Sequence, residues 1–143
     1  MSEVPPFSPT VMLLSVGRVW EAALAEALKP IGLTTRKYGL LGHVRATPGI
    51  SFSELARRSR ITVQSAHAMV MAFVEAGLVD DGTAHPGSAS TLRVTAAGES
   101  VLVWAADAVN RLDAAFAEQH PELTEALRVQ IAEIASSNPT TFS

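Results

Sequence analysis

The chain has 143 residues, 48% hydrophobic but only 6% aromatic, which predicts one domain with a core of Ala, Leu and Val and a mainly helical build. No apolar run reaches the roughly 18 residues of a spanning helix, and no basic segment leads into an apolar stretch near the amino terminus, so a cytoplasmic protein with no membrane partner is expected. The absence of cysteine excludes disulfides, thiolate metal sites and thiol-based sensing.

The net charge of −3 is unevenly spread. Residues 31–62 hold Arg36, Lys37, Arg45, Arg57, Arg58 and Arg60 against Glu54 alone, a local balance of +5, whereas residues 63–143 balance at −7. Where basic charge lies matters more than its total for attracting phosphates.

Met1 to Pro9 contains three prolines and no periodicity, and reads as a flexible arm or an extended strap. From Thr10 to Lys29, Val11, Leu14, Val19, Ala23, Leu24, Ala27 and Leu28 follow helical spacing, with Trp20 near the stripe, until Pro30 and Gly32 stop it. Thr34 or Thr35 caps a second helix bearing Tyr38, Leu41, Gly42 and Arg45, which breaks at Thr47-Pro48-Gly49. Ile50 to Phe52 is expected to form the first strand of a small sheet.

Ser51 and Glu54 then form a capping box that starts a helix from Phe52 to about Arg58. After a short turn, Thr62 caps a helix from Val63 to about Ala76, and Gly77 closes it. Ala66, Met69, Val70 and Phe73 make its buried stripe, while Gln64, Ser65, His67, Ala68 and Met71 fall elsewhere. A strand at Leu78–Asp80, a Gly/Pro/Ser-rich loop over 81–90 and a strand at Thr91–Thr95 follow. The order is helix-turn-helix, then a β-hairpin wing.

Thr95 caps a long helix to about Gln119, with Val101, Leu102, Trp104, Ala105, Ala108, Val109, Leu112 and Phe116 on an apolar face. His120-Pro121 ends it and begins a last helix to about Ser136, with Leu123, Leu127, Ile131 and Ile134 on one side. The first helix and the last two expose more apolar surface than one small winged-helix core can cover, so a second copy of the chain is expected to cover it.

The run Glu54-Leu55-Ala56, then Thr62 to Val70, Phe73, Gly77-Leu78-Val79 and Leu92 to Gly98, placed after Gly32-Leu33-Thr34, resembles the MarR family of bacterial winged-helix regulators over roughly residues 10–136. The resemblance implies a mainly α fold with a small antiparallel β wing (α+β). A single domain would have a DNA-binding lobe over 33–95 and dimerisation helices over 10–30 and 96–136. It further implies a sequence-specific transcriptional regulator, expected to be a repressor, that acts as a homodimer on a palindromic operator in double-stranded DNA. Release by a small phenolic or amphipathic effector is part of the same expectation.

On that pattern Gln64, Ser65 and His67 are the candidate base readers, since Gln can bridge adenine N6 and N7 and His can donate to guanine N7 or O6. Arg36, Arg57, Arg58 and Arg60 are candidate phosphate anchors, with Thr62 at the helix entry and Arg93 beside the wing. Trp20, Tyr38, His43 and Trp104 are the amphipathic side chains expected to converge on an effector cleft, although both tryptophans could equally be core or interface residues.

Two positions depart from the family pattern. Ala68 stands where members usually carry Arg, and the wing tip, Ala84 to Ser90, has neither Arg nor Asp, leaving His85 and Arg93 as the cations near it. Losing about four cationic contacts per dimer would flatten the salt dependence by roughly 3 to 4 log units per log unit of salt. The alternative reading is a winged-helix dimer with degenerate DNA binding that acts as a protein-interaction module. No cofactor, metal or enzymatic activity is expected: phosphate-loop and nucleophile motifs are missing, and His43, His67, His85 and His120 are scattered.

Overall fold

Ser8 opens the first helix by accepting the Val11 N–H on its hydroxyl, and Pro9, whose fixed φ suits a first helical turn, is the helix's first residue rather than the end of a strap. The structure, a computed structural model, describes residues 6–82 and 91–136. The elements are α1 (Pro9–Leu28), a 3-10 turn (Lys29–Ile31), α2 (Thr35–Ala46), α3 (Phe52–Ser59), α4 (Val63–Glu75), β1 (Val79–Asp80), β2 (Arg93–Val94), α5 (Ala96–Gln119) and α6 (Pro121–Ser136). The chain divides into two units, Met1–Val109 and Asn110–Ser143.

In the first unit, Leu28, Leu40, Leu41, Val44, Leu55, Val70 and Leu92 are essentially inaccessible to solvent and make one core with Phe73, Val79, Leu102 and Ala105. Burying each such side chain contributes roughly 1.5–3 kcal/mol, so this cluster holds α2, α3, α4 and the wing strands as one lobe. The caps fall where short polar side chains predict them. Thr34, Ser51 and Thr62 each accept the N–H three residues on, and Thr95 accepts that of Gly98. Met71 is half-buried against the core, an extension of the α4 stripe.

The sheet has two antiparallel strands, with Val79 opposite Val94 and Asp80 opposite Arg93. Ile50 to Phe52 is not its first strand: Ile50 is buried, Ser51 is the N-cap of α3 and Phe52 is already helical. Gly49, the residue before that segment, donates its N–H to the Leu92 carbonyl at 2.9 Å, just before β2.

Gly98 brings α5 against the wing. A Cβ there would lie 2.2 Å from the Leu78 carbonyl oxygen and 2.6 Å from Val94 Cγ1. That carbonyl also accepts the Thr95 N–H at 3.0 Å, so glycine lets the start of α5 dock directly on the residue before β1 and on Val94 of β2. The apolar face expected on α5 is narrower than its periodicity suggests. Leu102, Ala105 and Ala108 are buried, but Trp104 is 61% exposed beside Val103. On α1, Val11, Leu13, Leu14 and Val19 are also exposed.

In the second unit, Leu127 and Ile131 are exposed on α6 and line a groove with Ala114, Phe116, Ala117 and Thr124. Among the described residues, no helix is long and apolar enough to cross a membrane, and no group of His, Asp and Glu could hold a metal ion.

Candidate nucleic-acid interface

The turn between α3 and α4 is closed by two bonds, Arg60 N–H to the Arg57 carbonyl and Ile61 N–H to the Ala56 carbonyl, with Arg60 in the left-handed region at φ 55°. This is a Schellman closure, usually completed by glycine. It aims α4 so that Ala66, Val70 and Phe73 enter the core while Gln64, Ser65, His67 and Ala68 stay exposed on its first two turns.

Three of those exposed positions bear polar side chains in different states. Ser65 donates its N–H to the Thr62 hydroxyl, which in turn donates its proton to Ser65 Oγ at 2.9 Å. Thr62 is therefore committed to the cap, and Ser65 keeps its own hydroxyl proton to donate outward. His67 lies with its ring 5.0 Å from that of Phe52 on α3, tilted by 36°, so a tertiary contact limits its rotamers.

The basic cluster is tied more closely than its sequence suggests. Glu54 does not complete the capping box with its carboxylate, which instead turns along α3 towards the two arginines. Arg57 donates Nε and Nη2 to its two oxygens, Arg58 donates Nε at 2.9 Å, and Arg58 Nη1 reaches Thr47 Oγ1 at 2.9 Å. The spacings of three and four residues put each arginine within reach of Glu54, where charge-assisted bonds form, and a local backbone bond is the weaker competitor. Hydrogen bonds from Arg57 and then Arg58 hold the Glu54 carboxyl down at about 2, from an ordinary value of 4.5, and Glu54 raises Arg57 in return. The i,i+3 and i,i+4 pattern from Glu54 to Arg57 and Arg58 was a sequence signal for this tie.

Arg45 is engaged elsewhere, 3.0 Å from Glu99 at the start of α5. Arg36 and Lys37 in the first turn of α2, and Arg60 in the turn, carry their charge outside these pairs. Arg93 is exposed on β2 in register with Asp80, whose carboxylate accepts the Gly82 N–H at 2.9 Å. The wing tip, with His85, lies outside the described residues.

A sequence profile of the MarR family matches residues 31–87. The HTH-type transcriptional repressor Rv2887 of Mycobacterium tuberculosis is 32% identical over 108 residues, 72% of this chain and 75% of that protein. The chain belongs to the MarR family. Solved structures of Rv2887 superpose on the fold: its complex with p-aminosalicylic acid at a TM-score of 0.73 and 25% identity, over 92% of this chain and 100% of that one. Its complex with DNA superposes at a TM-score of 0.74 and 24% identity, over 92% and 99%.

This MarR-family chain has an open cleft of about 710 Å³ between α1, α2 and α3, lined by Glu21, Thr34, Thr35, Arg36, Gly39, Leu40, His43, Arg58 and Ser59. Of the four side chains expected at an effector site, only His43 lines it. Tyr38 is half-buried against the core, Trp20 is half-buried one residue before Glu21, and Trp104 faces outward. Arg36 and Arg58, read from sequence as phosphate anchors alone, line it as well. The Ser59 hydroxyl, also on this wall, is buried without a hydrogen-bond partner.

Proposed function

We propose that the chain is a DNA-binding transcriptional repressor, cytoplasmic and without enzymatic activity, that acts as a homodimer on a palindromic operator. A small aromatic acid would release it. The observation that carries the reading is the exposed amino-terminal end of α4. There Gln64, Ser65 and His67 face outward, while the opposite face is locked into the core and arginines lie on the adjoining helix and turn. An α-helix presented in this way fits the major groove, whose base edges carry a unique donor and acceptor pattern.

Gln64, Ser65 and His67 are the readers in this account, and Arg36, Arg57, Arg60 and Arg93 anchor phosphates. Arg58, braced on Thr47, positions α3 as well as contributing charge. Exposed apolar side chains on α1 and on α6 support pairing with a second copy. The cleft lined by Arg36, His43 and Arg58 has the charge to hold a carboxylate, as salicylate-type ligands require, and Rv2887 has been solved with p-aminosalicylic acid.

Fluorescence anisotropy with the chain's own upstream duplex and a random duplex, at two salt concentrations, tests the reading. Preference for the upstream duplex that persists as salt rises supports it, and equal binding at both salts overturns it. The rival reading, a protein-interaction module, draws on Ala68 and on the carboxylate that neutralises part of the basic cluster, and equal binding would favour it.

A further inference from the structure

Glu54 presents to Arg57 and Arg58 what a DNA phosphate would present. Its two oxygens accept three guanidinium N–H bonds, and the two-pronged approach of Arg57 is the geometry this side chain uses on phosphate oxyanions. The trio is open to solvent, with the Arg57, Arg58 and Glu54 side chains 71%, 36% and 33% exposed, so a phosphate can reach the place the carboxylate holds. Exposed pairs of this kind add little to folding stability, which leaves their effect on charge presentation as the larger consequence.

We propose that Glu54 is an intramolecular competitor for the phosphate backbone, occupying Arg57 and Arg58 in the free protein and lowering the charge that the lobe brings to any duplex. The inference rests on the winged lobe being the DNA-binding surface. With Glu54 in place the trio carries a net +1 instead of +2, and a phosphate that takes Arg57 must displace or share the carboxylate. Arg58 is also held by Thr47, and Arg57 is about twice as exposed, so the exchange takes place at Arg57. Phosphate contacts carry no sequence information, so Glu54 sets affinity and salt dependence for all DNA alike and leaves the ratio between operator and random duplex unchanged.

The test is Glu54→Gln, which keeps the side chain's shape and its acceptor oxygen but removes the charge. Random-duplex binding is measured across salt, with Glu75→Gln at the far end of α4 as a control for total charge and circular dichroism to verify folding. The expected result is tighter random-duplex binding for Glu54→Gln, with the salt slope steeper by about 0.9 per subunit, one phosphate's worth. The gain should vanish when Arg57→Gln is added, and Glu75→Gln should leave the slope unchanged. Weaker binding by folded Glu54→Gln, an unchanged slope, an equal effect from Glu75→Gln, or no random-duplex binding by either protein overturns the proposal. Lack of operator preference in the unaltered protein would instead overturn the functional reading, while the random-duplex comparison still decides this one.

Discussion

Arg60 and Gly77 hold the same place in two successive helix ends. Each has positive φ, 55° and 78°, and each is followed by an N–H that closes on the carbonyl five residues back, Ile61 to Ala56 at 3.1 Å and Leu78 to Phe73 at 2.9 Å. Gly32, with Leu33 closing on Leu28, repeats the motif. An L-residue in this conformation costs about 1–2 kcal/mol, against about 0.5–1 kcal/mol for the greater backbone entropy that glycine loses on folding. Arg60→Gly should therefore stabilise the protein by on the order of 0.5–1 kcal/mol in urea denaturation while weakening binding to operator and random DNA. Arg60→Ala should weaken DNA equally without the gain in stability. A strained cation at the turn is then retained for phosphate contact, and unchanged DNA binding in both variants would refute that role.

Under the proposed function, base reading at Gln64 should separate from the charge that Arg58 contributes to any duplex. Gln64→Ala should relax preference at one or two operator positions for a loss of about 1–3 kcal/mol in binding, with random DNA unaffected. Arg58→Ala should weaken both duplexes and, because its Nη1 bond to Thr47 is lost, also lower the denaturation midpoint. If the two variants act identically on the two duplexes, the division of labour is wrong.

Caps and breakers made much of this fold legible in the sequence. Ser51, Thr62 and Thr95 mark helix starts because a short polar side chain satisfies an N–H that the first turn leaves open, and Gly77 marks an end because no Cβ opposes positive φ. What escaped depends on competition between partners. Glu54 had a local backbone partner by rule and two arginines by geometry, and the arginines won. Ile50 to Phe52 has strand composition, but Ser51 commits its neighbour to the helix. Trp104 fits a helical stripe by spacing yet lies at its edge, where three buried positions at 102, 105 and 108 already fill the contact with the core. The family itself was legible because its motif elements are caps, breakers and stripe residues in fixed order.

Gly98 is the position where the wing depends on a missing side chain. With a Cβ 2.2 Å from the Leu78 carbonyl oxygen, a backbone atom, Gly98→Ala cannot be absorbed by a rotamer change. The start of α5 must move off Leu78, just before β1, loosening the Thr95 bond to Leu78 as well. A loss of about 1–3 kcal/mol or more in chemical denaturation is expected, the range for overpacking a tight site. A loss below about 0.5 kcal/mol would mean that α5 sits further from the wing than this contact requires.

Arg58 lines the cleft between α1, α2 and α3 and also belongs to the basic trio on α3, so under the proposed function effector binding and DNA binding would meet there. A salicylate-type carboxylate in the cleft would draw on Arg36 and Arg58, so ligand and operator should oppose each other, and by linkage each must weaken the other by the same factor. Trp20 precedes Glu21 on the cleft wall, whereas Trp104 is 61% exposed and absent from the lining, so fluorescence can locate the site. Salicylate titration should give a saturable quench that persists in Trp104→Phe, disappears in Trp20→Phe, and shifts to higher ligand concentration when operator is present. Arg36→Gln should shift it upward without operator. A quench that follows Trp104, or one that operator leaves unmoved, would place the ligand elsewhere and separate it from the control of DNA binding.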